Sequence, residues 1–171
     1  MRREWWLLVM VLVGCTSVFA EMGKAEIIGT TEGSPVSGTA TLTETPTGLR
    51  ITIQVAKVPP GKHGLHIHQF GSCQDGGNAA GGHYNPDGVK HGYLPTEGFA
   101  QAHGGDLGNI DIGADGSGTL ELVLSGLTLS GGTYNVAGRA IVLHEKVDDF
   151  GQPTGNAGGR IGCGSILITG E

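Results

Sequence analysis

Along most of the chain, apolar and polar residues alternate with a period of two. Val36, Gly38, Ala40 and Leu42 occupy every second position, as do Leu49, Ile51, Ile53 and Val55. Leu120, Leu122 and Leu124 repeat the pattern, and Ala140 to Leu143 form a β-prone run. Short strands also fit Ala25 to Gly29 and Ser165 to Thr169. Successive side chains of a strand face opposite ways, so this alternation predicts strands with one buried face. No long stretch carries a helical period. The predicted fold class is all-β, a sandwich or flattened barrel.

Two segments break the rhythm. Residues 71–109 are rich in Gly, His and Asp and lack the strand pattern, and residues 145–162, EKVDDFGQPTGNAGGRIG, form a second loop. Loops of this length in a compact domain are disordered or functional, and their side chains decide which.

Composition sharpens the picture at three points. The 171 residues show no second compositional block, so one domain is expected. The 33 glycines lie between apolar runs rather than in tracts, which reads as turns and ordered loops. The net charge of -6 argues against nucleic acid or an anionic membrane surface as the main partner.

The N-terminus is a separate unit. Arg2 and Arg3 precede the apolar run WWLLVMVLV, and GCTSVFA follows before Glu21. A charged start, an apolar stretch too short to span a bilayer and a small-residue end together predict a signal peptide over residues 1–20. The mature domain is then 21–171, in the periplasm or cell envelope or secreted. Two processing routes stay open. Cleavage after Ala20 gives a soluble form, whereas LVGC, Leu12 to Cys15, resembles a bacterial lipobox that would leave a lipid anchor on Cys15. Either route removes Cys15 from the domain proper and leaves Cys73 and Cys163 as a pair in an oxidising compartment, where a disulfide is expected.

The candidate chemistry lies in seven histidines. In GLHIHQFG, His66 and His68 are two residues apart, so a strand puts both on one face and sends Leu65 and Ile67 into the core. The first long loop adds His83, His91 and then HGGD, His103 to Asp106. Three imidazoles and a carboxylate form a closed four-ligand set suited to structural zinc. His144, arriving from a distant strand, could complete a set with His66 and His68. A nitrogen-rich site with an open position suits copper.

GLHIHQFG, GGHYNP, KHG, HGGDLGN, VLHEKVDD and GNAGGRIGCG occur in this order between about Gly61 and Ile168. Together they resemble the signature segments of the Cu/Zn superoxide dismutase family, in its bacterial, exported form. The resemblance implies a Greek-key β-sandwich or flattened barrel that disproportionates superoxide to dioxygen and hydrogen peroxide, protecting the cell envelope. It implies one copper ion at His66, His68, His83 and His144, and one zinc ion at His83, His91, His103 and Asp106. His83 would then bridge the metals and serve as the general acid that delivers a proton to the substrate. Asp148 would tie His66 to His91 from outside both sites, and Arg160 would stand beside the copper as the second catalytic residue. Cys73 and Cys163 match the family's disulfide, His63 a structural histidine outside both sets. Superoxide is the implied partner, with a homodimer left open.

The chain departs from the animal pattern in three places. Cys73 follows His68 closely, the His91–His103 spacing is longer, and the loop before Arg160 is shorter, with Lys146 its one other cation. These leave the ligand roles intact and bear on how an anion is steered. Two rival classes are a metal store without turnover and an adhesive sandwich. The first would be expected to lose a copper ligand or the arginine, and the second leaves the ligand set without a reason.

Overall fold

The computed structural model describes residues 20–170, so the predicted leader and the Cys15 alternative lie outside the described residues. The strands are β1 (Met22–Gly29), β2 (Ser37–Thr45), β3 (Gly48–Ala56), β4 (Gly61–His68), β5 (Asp106–Ile112), β6 (Gly118–Leu124), β7 (Ala140–His144), β8 (Arg160–Ser165) and β9 (Leu167–Gly170). One short helix, α1 (Leu94–Glu97), and a 3-10 turn at Asn78–Ala80 lie in the first loop.

The period-two pattern does what it predicts. Ala40, Leu42, Leu49, Ile51, Ile53 and Val55 are buried, while their polar neighbours face outward. Hydrogen-bonded neighbours run β5-β4-β7-β8-β1-β2-β3-β6, with β9 beside β1, and the strand pairings are antiparallel. The two ends of this order meet at Gly118 of β6, against Ile110 and Ile112 of β5. The result is an eight-stranded, nearly closed barrel around one apolar core.

Two expectations are corrected. The first interrupting segment was expected to be loop through residue 109, yet β5 begins at Asp106. Its burial runs through nearly every position rather than alternating, so no period of two marks it. The strand expected at Ser165–Thr169 is broken at Ile166, which turns into the core and bonds the backbone of Arg139 and Gly138.

The chemistry is positioned by β4. Leu65 and Ile67 fill the core, but His66 and His68 on the opposite face are buried as well, because both loops fold over them. Gly64 permits this approach: a Cβ there would come within 2.8 Å of the Ala157 Cβ and 3.3 Å of the Asp148 Cβ. Cys73 and Cys163, 90 residues apart, form a disulfide that staples the first loop to β8. Closing a loop of that length contributes about 4–5 kcal/mol in the chain-entropy treatment.

Candidate metal centre

Six histidines and two aspartates converge under the loops. His66, His68, His83 and His144 form one group, and His83, His91, His103 and Asp106 form a second, with ligand atoms in each within 4.8 Å of one another. All are buried. His144 comes from the end of β7, which pairs with β4, and His83 reaches the pair through an isolated β-bridge with His68.

The tautomers follow from the outer partners. His68 donates Nδ1–H to the Gly81 carbonyl at 2.9 Å, and His144 directs Nδ1 to the Gly158 carbonyl at 3.3 Å. Their Nε2 atoms then present lone pairs to each other 3.3 Å apart, an arrangement that calls for a cation between them. His66 donates Nε2–H to Asp148 Oδ2 at 2.8 Å, and His91 donates Nε2–H to the same carboxylate at 3.0 and 3.1 Å. Both rings are left with a buried Nδ1 that has no hydrogen-bond partner. The His91 Nδ1 lies 2.9 Å from Asp106 Oδ2 but out of hydrogen-bond alignment, as expected of two donors aimed at a shared ion.

His83 faces both groups. Its Nδ1 is 2.9 Å from Asp106 Oδ1 and 3.4 Å from His103 Nδ1, which leaves Nε2 for the His66, His68 and His144 side. Asp106 is organised in turn by the backbone N–H groups of Gly92 and His103, each at 2.9 Å. The orphaned lone pairs and the donor sets fit two ions, one held by nitrogen alone and one by three nitrogens and a carboxylate. A further cluster, His66, His91 and Asp148, is the link between the groups rather than a third site, since both imidazoles spend Nε2–H on Asp148. Gly155 makes room for that link. Its φ is +77°, and a Cβ would fall 1.9 Å from Asp148 Oδ1.

Set by the polypeptide alone, the imidazoles titrate far apart. Burial, foremost, lowers His68 to about 2, His144 to about 3 and His83 to about 4, so their lone pairs are free at neutral pH. Burial also works against a charge on His91, but the adjoining carboxylates of Asp106 and Asp148 overcome it and raise its pKa to about 9. Burial would raise Asp106 and Asp148, yet hydrogen bonds from the surrounding histidines and N–H groups hold both well below the carboxylate range.

These shifts predict the pH dependence of the chelator-stripped protein. Below pH 6.5 the unfolded chain takes up protons that folded His83, His144 and His68 refuse, so stability falls as pH drops from 6.5 toward about 4. His91 acts oppositely: its contribution is complete below 6.5 and is lost as pH rises through about 9. Thermal midpoints of the stripped protein should therefore peak near pH 6.5 and decline at both pH 5 and pH 9. A midpoint that rises steadily from pH 6.5 to 9 would contradict the His91 assignment.

Arg160, at the start of β8 and across from His144 in the β7 register, is half-buried. Its guanidinium donates to the carbonyls of Gly77 and Gly81, the latter at 2.6 Å. Gly81 thus joins Arg160 to His68, and the guanidinium charge helps depress the His68 and His144 pKa values. Two cations from outside the second loop lie nearby in space. Lys57 shares a cavity of about 260 Å³ with Arg160, and Arg139 shares one of about 380 Å³ with His83. Neither could be read from the loop sequence, because both reach the area from other strands' ends. His63 stands apart from both groups, braced between the carbonyls of His144 and Pro59 at 2.8 Å each.

Two residues of this region carry no sequence signal. Asn109 pairs with the backbone of Asp148, accepting its N–H at 2.7 Å and donating to its carbonyl at 2.9 Å. Gln152 pairs with the backbone of His91, accepting its N–H at 3.1 Å and donating to its carbonyl at 2.8 Å.

An antiparallel barrel with two metal groups sharing one histidine defines a binuclear metalloprotein. Residues 36–166 match the family profile described as copper/zinc superoxide dismutase (SODC). The chain belongs to that family. A superoxide dismutase (Cu-Zn) of Deinococcus radiodurans is 38% identical over 164 residues, covering 90% of this chain and 88% of the relative. An extracellular superoxide dismutase (Cu-Zn) of Caenorhabditis elegans is 37% identical over 172 residues, covering 94% and 76%. The solved structure of the clock protein EA4 superposes with a TM-score of 0.77 at 34% identity, over 93% of this chain and all of that one.

Proposed function

We propose that the chain disproportionates superoxide as an exported enzyme, taking two superoxide ions and two protons to one dioxygen and one hydrogen peroxide. The observation that carries the proposal is His83, a single imidazole shared by a nitrogen-only group and a closed three-nitrogen, one-oxygen group. Copper, held by His66, His68, His144 and His83, would supply the one-electron couple. The zinc group, His91, His103 and Asp106 with His83, would fix the bridging ring through its Nδ1. With Nδ1 so fixed, Nε2 is the atom at which His83 takes up a proton and hands it to the reduced oxygen. Asp148 holds His66 and His91 in the tautomers that expose their Nδ1 atoms.

Arg160 serves the anion. Two carbonyls use only part of its five-donor fork, and the guanidinium stays charged at any physiological pH. The protein is negative overall, so approach depends on the local field of the metals and Arg160. Arg160→Glu should slow dismutation about tenfold or more, beyond Arg160→Lys, and added salt should slow wild type more than Arg160→Ala. Wild-type rates in a fully copper-loaded Arg160→Glu would reduce Arg160 to its loop-bracing role.

The leader and the name of the nematode relative support an envelope or extracellular site of action, where superoxide released outside the cytosol would be removed. The test of function is kinetic. With no added reductant, the metal-loaded protein should convert superoxide to equal amounts of dioxygen and peroxide far faster than superoxide decays alone. A protein that holds copper and leaves superoxide to its spontaneous decay would instead be a metal store.

A further inference from the structure

The second loop grips His91 at both of its ends. The ring Nε2 meets the Asp148 carboxylate, and the peptide group meets Gln152, four residues further along the same loop. Gln152 answers both the N–H and the carbonyl of His91, as a neighbouring strand would, but does so from 61 residues away with a side chain. No helix or strand includes His91, so its backbone has no ladder of its own.

The need for a second grip follows from the ring. His91 Nδ1 is buried, lies 2.9 Å from Asp106 Oδ2 and makes no hydrogen bond there. A contact out of hydrogen-bond alignment draws the ring toward Asp106 without fixing its direction. Asp148 restrains one end of the ring, but a ring fixed only at Nε2 can still pivot about that contact. Fixing the backbone as well removes the pivot and leaves Nδ1 one direction. Asn109 does the same for the backbone of Asp148, so the loop is in register when Gln152 reaches His91.

We propose that Gln152 is a positioning residue for zinc: it aims His91 Nδ1 into the His83, His103 and Asp106 group before the ion arrives. The proposal rests on reading that group as the zinc site. Gln152 makes no hydrogen bond to His66, His68 or His144, so its effect falls on zinc and not on copper. The side chain pays an entropy cost to be fixed at the surface, which a two-point contact offsets and a single one would not.

The test is a zinc titration of the chelator-stripped full protein against a competing chelator. Gln152→Ala should weaken zinc binding on the order of tenfold, at the low end for removing an outer partner of a ligand, while copper affinity stays at the wild-type value. Gln152→Asn, one methylene too short to make both contacts, should behave like Gln152→Ala. Cobalt(II) placed in the same site adds a readout of ligand geometry, and its visible bands should shift and weaken in both variants. Thr154→Ala, an exposed change in the same loop, controls for general loosening and should leave zinc affinity and the cobalt bands unchanged. Wild-type zinc affinity and cobalt bands in Gln152→Ala would overturn the proposal, as would an equal loss in Thr154→Ala. A wild-type chain that takes up copper but no zinc would overturn the zinc-site reading itself, and the proposal with it.

Discussion

Replacing His144 with alanine should abolish dismutase activity while zinc stays bound. His144 supplies one of four nitrogens to the copper group and none to the zinc group. Its Nε2 sits 3.3 Å from that of His68, so its removal dismantles the pair of facing lone pairs. The zinc group is reached through β5 and the first loop, neither of which His144 helps to hold by its side chain. Its backbone carbonyl, which braces His63, survives the substitution. Activity should fall at least about 100-fold, the upper range for losing even an outer partner of a metal ligand. Zinc content by elemental analysis should remain at the wild-type level. Full activity in His144→Ala would disprove the copper assignment, and joint loss of both metals would disprove the independence of the two groups.

Asp148→Asn should weaken both metals together. A carboxylate accepts from two imidazole N–H groups at once, as Asp148 does with His66 and His91. An amide of the same shape offers one acceptor and turns an N–H₂ toward the other ring, leaving two buried donors face to face. Whichever way the amide settles, one ring loses its partner and the other loses a charged one. Copper and zinc affinities should each fall about 10- to 100-fold. Competitive titrations of both metals on one sample read this directly, and an effect confined to a single metal would contradict the shared role of Asp148. The variant should also lose part of its stabilisation of charged His91, so the decline above pH 6.5 in the stripped protein should be smaller and end at lower pH.

The metal centre was legible in the sequence only in part. His66 and His68 are legible because a strand's period places i and i+2 on one face, and the apolar residues between them fix which face. The zinc set is legible because three histidines and Asp106 cluster in one Gly-rich stretch. That His83 serves both groups is not readable from spacing and came from resemblance to the family. The geometry now gives its physical form, with Nδ1 beside Asp106 and Nε2 left for the other side. β5 escaped notice because burial on both faces erases alternation, and the break at Ile166 because one inward apolar residue looks like another. Gln152 and Asn109 were invisible for a different reason. They act on backbone groups of residues far along the chain, and a peptide group has no identity in a sequence.

One copper and one zinc, joined through His83, would make this chain a dismutase. The most direct test is metal analysis of the purified mature protein, with superoxide decay measured on the same samples across graded copper loading. The protein should carry one copper and one zinc per chain, with a rate proportional to copper content and no turnover from zinc alone. Turnover that persists without copper, or a chain loaded with both metals that leaves superoxide untouched, would contradict this.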